Sequence, residues 1–317
     1  MRFVLTGGSG FVGNYLIKKL CYLYPQIEIH NLDINPSKPN IKRESGKQNL
    51  TNHLVDITNK GDLMKFKFDQ DDVVFHLAAH IFHPQTPYRT KRKEYFEKLN
   101  VEGTKNILED MNKNNVKRIA FLSTCMVYGT PQHKMVKTTH PLKPNGPYGS
   151  TKVKAEKLIT DFGQAKQNKT LIYRPGLIAG PGRFGLLGKL FFLIKNNLPV
   201  PLIGSGNNRY QFISIYDCVD ALTKFIDLNF PTGIYNLGSI KPPTVKELIS
   251  SLINLECSIT SRGSVSGFSI KSAVSVITCS SSLVNGIFKN GFGSINSCIR
   301  SELSEYPDLF ILSIKSF

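Results

Sequence analysis

Residues 3–13 read Phe3-Val4-Leu5-Thr6-Gly7-Gly8-Ser9-Gly10-Phe11-Val12-Gly13. A short apolar and β-branched run ends in glycines, after which Phe11, Val12, Tyr15, Leu16 and Leu20 recur at helical spacing. The stretch therefore reads as strand, tight turn and helix. Three of the glycines have separate physical reasons to be there. Gly7 permits the turn, Gly10 lets the backbone approach a pyrophosphate, and Gly13 lets the helix pack close. The first N–H groups of such a helix have no partner within it and face the anion.

Working outward, the pattern repeats. Ile27 to Leu32 and Asp72 to Leu77 read as strands, Val101, Thr104, Leu108 and Met111 as one helix face, and Ile119 to Ser123 as a further strand. A loop rich in Pro, Lys, His and Gly covers 130–147, then Tyr148 to Phe162 resumes a helical pattern and Leu171-Ile172-Tyr173 a strand. Strands alternating with helices predict an α/β fold: a Rossmann-type, doubly wound parallel sheet with helices on both faces. The predicted first, dinucleotide-binding domain covers residues 1–175, and a smaller C-terminal substrate lobe covers 176–317, where glycines and prolines interrupt shorter segments. Part of 205–238 is expected to return to the first domain. Beyond Glu256 serine makes up roughly a quarter of the residues, several times ordinary usage, so 256–317 is an atypical tail in which no functional residue is expected.

The 317 residues are 41% hydrophobic and 20% charged, a globular composition, and the apolar runs fall short of the roughly 20 residues that span a bilayer. The start lacks the basic and apolar regions of a signal peptide, and the six cysteines form no C-x-x-C pair. We therefore expect a cytoplasmic protein with reduced thiols, no metal site and no membrane partner. The formal charge of +17 raises nucleic-acid binding, with Arg89, Lys91, Arg92 and Lys93 as its local support. The positive residues are mostly lysines spread along the chain without interleaved aromatics, so no nucleic-acid partner is expected, and a phosphate-bearing ligand suits the sign equally well.

Asp33 lies twenty residues after Gly13 at the end of the second predicted strand, where a carboxylate accepts from the ribose hydroxyls of an adenosine and repels a 2′-phosphate. NAD is thereby favoured over NADP, although Lys38, Lys42 and Arg43 lie further along. Tyr148 and Lys152 are one helical turn apart and share a face. A phenol with an ordinary pKa of about 10 is a poor base at neutral pH, and a nearby ammonium favours its ionised form. Tyr148 can then exchange a proton with a substrate hydroxyl while hydride moves at the same carbon. Ser123 and Thr124 end a predicted strand at the sheet's carboxyl edge, where ligands bind in open α/β folds.

These motifs together resemble the extended short-chain dehydrogenase/reductase superfamily in its nucleotide-sugar epimerase/dehydratase branch, over about residues 1–240. The pieces are Thr6 to Gly13, Asp56-Ile57, His76-Leu77-Ala78-Ala79, Asn100-Val101-Glu102-Gly103-Thr104, Ser123-Thr124 with Val127-Tyr128-Gly129, Tyr148 with Lys152, and Arg174-Pro175. The resemblance implies that Gly7, Gly10, Phe11, Val12, Gly13 and Asp33 hold the dinucleotide, with Asp56 and Ile57 flanking the adenine. Leu77, Ala78, Ala79, Asn100 and Ser123 would line the cofactor, Lys152 would hold the nicotinamide ribose, and Pro175 would abut the nicotinamide. Thr124 would share the substrate hydroxyl with Tyr148. The family also implies a homodimer, paired through the helices holding Leu99 to Met111 and Tyr148 to Phe162.

Family dehydratases carry an Asp-Glu pair directly after the hydroxyl residue; here Cys125 and Met126 stand there, and neither side chain supplies a carboxylate's proton chemistry. Dehydration is thus disfavoured, leaving redox-neutral epimerisation of a nucleoside-diphosphate sugar or net oxidation and reduction. Two family positions differ, with Gly176 and Leu177 where an Asn is common and Tyr210 where an Arg is common; Arg183 and Arg209 are the candidates for gripping a diphosphate. Two alternatives stay open. One is a hydroxysteroid-dehydrogenase-like alcohol/ketone oxidoreductase, using the apolar segment Phe184 to Pro201; the other is a non-catalytic NAD-binding scaffold or regulator.

Overall fold

The computed structural model describes residues 1–35, 49–82, 86–132, 135–183, 185–196, 198–200 and 205–260. In chain order the elements are β1 (Phe3–Thr6), α1 (Phe11–Leu23), β2 (Ile29–Asp33), β3 (Leu50–Leu54), α2 (Lys60–Leu63), β4 (Val73–His76), α3 (Arg92–Glu97), α4 (Thr104–Lys113) and β5 (Arg118–Leu122). They continue with α5 (Pro147–Lys166), β6 (Lys169–Pro175), β7 (Leu177–Ala179), α6 (Gly185–Lys195), β8 (Phe212–Ser214), α7 (Ile215–Asp227), β9 (Gly233–Leu237) and α8 (Val245–Thr260).

Seven strands form one parallel sheet in the order β3-β2-β1-β4-β5-β6-β9. The order reverses between β1 and β4, which opens a crevice at the strands' carboxyl ends, the ligand position of open α/β sheets. Both faces are covered, which is why the strands read as continuous apolar runs rather than alternating ones. On one face Val4, Val74, Ile119, Phe121 and Ile172 meet Ile107 and Met111 of α4 and Ile159 of α5. On the other, Phe75 lies edge-on to Phe3 and to Phe225 of α7, and α1 buries Leu16, Ile17 and Leu20.

The chain divides into two compact units, Met1–Pro175 with Cys218–Leu237, and Gly176–Asp217 with the residues from Gly238 onward. The second has its own short parallel pair, β7 with β8, and a core of Ala179, Leu187, Phe212, Leu248 and Leu252. Leu190 and Ile194 pack against that core, so the apolar stripe of α6 is used inside the unit and gives the steroid-type reading no support. Among the described residues no helix is long and apolar enough to cross a membrane.

One expectation is corrected. The helix face expected from Val101 onward begins as α-helix only at Thr104, because Lys98–Gly103 forms a wider π-helical turn that buries Asn100 and leaves Val101 half-exposed. Periodicity does not reveal β3: Leu50-Thr51-Asn52-His53-Leu54 carries three polar residues and lies at the sheet edge, where one-sided burial suffices. Lys38, Lys42, Arg43, Phe184 and Pro201, and the tail from residue 261, lie outside the described residues.

Candidate active site

The glycine turn is built by backbone contacts. At Gly7 φ is +71°, and a Cβ there would stand 2.7 Å from the Ala78 backbone; at Gly13 it would stand 2.5 Å from Gly8 Cα. Both glycines are required by the protein's own packing. At Gly10 a Cβ would meet only the Gly7 carbonyl oxygen, at 3.2 Å, which leaves the approach of a ligand as the stronger reason for glycine. Gly10 caps α1 without any side-chain bond and the first turn holds no acid, so its N–H groups suit a pyrophosphate. Val12 is buried under the turn, while Phe11 is half-exposed with its ring on Tyr15. Asp33 accepts the N–H of Ser9 at 3.0 Å and that of Asn35 at 2.9 Å, tying the turn to the end of β2. Each carboxylate oxygen has a second lone pair for a ribose hydroxyl. These residues fit a dinucleotide.

Asp56 follows β3 and accepts both the N–H and the hydroxyl of Thr58 at 2.8 Å, while Ile57 is buried and its carbonyl accepts from Asn106. Leu77, Ala78 and Ala79 leave β4 half-buried, with the Leu77 N–H on the Thr6 carbonyl. Beneath them His76 is fully buried between two threonines. The Thr104 hydroxyl donates to the Asn100 carbonyl, so it accepts from His76 Nε2–H at 2.8 Å, and Nδ1 accepts the Thr6 hydroxyl at 2.6 Å. Burial, with a contribution from Lys152, pushes the imidazole pKa down to about 3. Asn100 spends its amide on the protein: Oδ1 accepts from His80 N, and Nδ2 donates to His80 O and Thr151 Oγ1. The geometry therefore makes Asn100 a bridge between the π-helical turn, the chain after β4 and α5.

Thr124 begins a 3-10 turn, Cys125–Tyr128, and its hydroxyl accepts the Met126 N–H at 3.3 Å. Beside Tyr148, Gly149 is buried so closely that a Cβ would stand 2.7 Å from the Met126 carbonyl oxygen. The first turn of α5, which carries Tyr148 and Lys152, is thus pressed against the turn that follows Thr124. The Tyr148 ring packs near Phe96 of α3, with centroids 5.8 Å apart, and near Phe82 at 6.3 Å. Lys152 is buried at the carboxyl end of β5, where Nζ donates to the Leu122 carbonyl at 2.7 Å and sits 4.0 Å from the Phe121 ring centroid. Desolvation lowers its pKa to about 7, opposed by the charge of Glu156. The ammonium invoked from spacing alone is therefore shared with the neutral amine near pH 7.

Sequence reading misses Glu156. It is almost wholly buried, receives the Ser123 hydroxyl, and pairs with Arg174, whose Nη2 lies 2.6 Å from Oε2. Its position one turn beyond Lys152 on the buried face of α5 is the signal that could have found it. Ser123, expected toward the cofactor, directs its hydroxyl to this carboxylate, and Pro175 is buried at the end of β6. In the second unit the backbone of Arg183 closes the Gly180 turn, and the Arg209 Nη1 donates to the Pro242 carbonyl.

A family profile described as "NAD dependent epimerase/dehydratase family" matches residues 3–238. The human dTDP-D-glucose 4,6-dehydratase is 28% identical over 260 residues, covering 80% of this chain and 73% of that protein. A putative UDP-glucose 4-epimerase of Methanocaldococcus jannaschii is 31% identical over 254 residues, covering 77% and 79%. In fold, the chain is similar to the dTDP-glucose 4,6-dehydratase DesIV of Streptomyces venezuelae, solved with NAD bound, at a TM-score of 0.69, 23% identity and coverage of 80% and 81%.

Proposed function

The chain belongs to the NAD-dependent epimerase/dehydratase family, and from that premise we propose that it inverts a hydroxyl-bearing ring carbon of a nucleoside-diphosphate sugar rather than dehydrating it. NAD is the cofactor, and when bound it supplies reversible acceptance of a hydride. One observation carries the choice of reaction: the turn after Thr124 presents Cys125 and Met126 where a dehydratase needs two carboxylates, and burial pushes the Cys125 thiol pKa up, away from proton transfer.

Tyr148 takes the proton from the substrate hydroxyl and returns it, Thr124 holds the same oxygen, and Lys152 tunes the phenol from one helical turn away. The glycine turn and Asp33 anchor the adenosine half of the cofactor. Arg183 and Arg209 are our candidates for the sugar diphosphate. The same proposal includes a homodimer paired through α4 and α5, read out by light scattering, and a cytoplasmic location, read out by fractionation.

Incubation with UDP-glucose or UDP-galactose, followed by chromatography of the sugars, is expected to change their ratio without net consumption of NAD. Stoichiometric reduction of NAD would replace epimerisation with net oxidation. NAD binding without turnover of any sugar or alcohol would leave the scaffold reading.

A further inference from the structure

Two consecutive residues at the end of β5 grip α5 at positions one turn apart. The Leu122 carbonyl holds the Lys152 amine, and the Ser123 hydroxyl donates to Glu156 Oε1. Glu156 in turn receives Arg174 of β6 through Nε at 3.0 Å and Nη2 at 2.6 Å. The remaining arm, Nη1, donates to the Tyr128 hydroxyl at 2.8 Å and to the Thr138 carbonyl at 3.0 Å. The Tyr128 hydroxyl donates in turn to Asn236 Oδ1 at 2.6 Å. Tyr128 also closes the turn that opens at Thr124.

Ser123, Lys152, Glu156 and Arg174 are each no more than 4% exposed. A buried ion pair is a poor source of stability, because desolvation of both charges offsets their attraction, and apolar residues of similar volume often serve as well. What this pair does supply is a set of directed bonds between the elements that carry Thr124, Tyr148 and Lys152.

We propose that the Glu156–Arg174 pair is a positioning device: it registers the turn of α5 bearing Lys152 against the end of β5, and through Tyr128 it registers the turn bearing Thr124. This rests on reading those residues as the reacting groups. Neither Glu156 nor Arg174 is assigned a contact with substrate. Among the described residues, the titratable groups around the Lys152 amine are Tyr148 one turn before it and Glu156 one turn after it on its own helix, Arg174 and Tyr128 behind Glu156, and His76 of β4. The Glu156 carboxylate holds the amine in its protonated form against desolvation.

Replacing Glu156 alone strands Arg174 as an uncompensated buried charge and endangers the fold. The informative variant removes both charges, Glu156→Gln with Arg174→Met. The amine is followed by NMR in protein carrying 13C at lysine Cε, with Lys152 assigned by the resonance lost in Lys152→Arg. The double variant is expected to melt close to the wild type, with the Lys152 titration midpoint lowered by about one pH unit. Its kcat for the nucleotide sugar is expected to fall on the order of tenfold to a hundredfold, with KM little changed.

A folded double variant with an unmoved midpoint and an unchanged kcat overturns the proposal. Should it not fold, Tyr128→Phe decides: it removes the hydroxyl that joins Arg174 to the Thr124 turn, together with that hydroxyl's bond to Asn236. It is expected to lower kcat severalfold at constant KM and by more than Asn236→Ala, which leaves the Arg174 link in place, whereas an unchanged kcat or an equal effect of the two variants overturns the proposal. The midpoint needs no substrate. If wild-type protein turns over no nucleotide sugar, the functional reading fails while the titration still decides whether Glu156 governs Lys152.

Discussion

The glycine turn and the β5–α5–β6 junction are held in shape by opposite means. The turn works through backbone: a positive φ at Gly7, close approaches at Gly7 and Gly13, and uncapped N–H groups at α1, all encoded within Thr6 to Gly13. The junction works through buried polar side chains whose partners lie far apart in sequence, Ser123 with Glu156, Glu156 with Arg174, and Tyr128 with Asn236. Backbone devices tolerate no added atom, and side-chain networks tolerate no missing partner. Substitutions should therefore fail differently in the two regions.

The largest effect is expected at Tyr148, the proposed reacting group of the junction. Tyr148→Phe should lower turnover by about 10²- to 10⁴-fold while NAD affinity, measured by calorimetry, is retained. Next, Gly7→Ala should destabilise the protein by about 1–3 kcal/mol in chemical denaturation, because the new methyl meets the Ala78 backbone in a left-handed conformation. Gly10→Ala should cost less stability than Gly7→Ala yet lose NAD affinity by about tenfold, or 1.4 kcal/mol, because its Cβ meets protein only at the Gly7 carbonyl oxygen, 3.2 Å away, and stands at the turn proposed for the pyrophosphate. Equal effects of the two alanines on stability would erase the distinction drawn between these glycines.

Smaller effects come from pH. His76 is neutral in the fold with a pKa near 3 against an ordinary value of about 6.5. Its contribution to stability is full above pH 6.5 and is lost as the pH falls toward 3. Lys152 is also depressed, to about 7 against about 10.4. Its contribution is full above about pH 10 and is lost as the pH falls from there through 7, so melting temperature should rise between pH 7 and 10. Lys152→Met should flatten that rise.

The fold was legible because long strand and helix runs, Phe3 to Leu20 above all, repeat a local pattern that tertiary contacts do not override. Strand β3 escaped because an edge position lets Thr51, Asn52 and His53 replace the apolar signature. The placing of Tyr148 and Lys152 one turn apart on α5, beside the turn that follows Thr124, was legible from their spacing. The surroundings were not: Asn100 and Ser123, expected toward the cofactor, spend side-chain bonds on protein partners, and Lys152 loses part of its charge to burial. Desolvation and long-range pairing depend on what else is packed nearby, which spacing along one helix does not contain.

The proposed epimerisation requires that a hydride leave a sugar carbon and return to it while Tyr148 handles the proton. A UDP-sugar carrying deuterium at the carbon that changes configuration probes this without intermediary. The expected product is inverted, keeps the deuterium, and leaves the NAD pool oxidised. Deuterium lost to water would mean that inversion proceeds by proton exchange, and the assignment of Thr124, Tyr148 and Lys152 to hydride chemistry would be wrong.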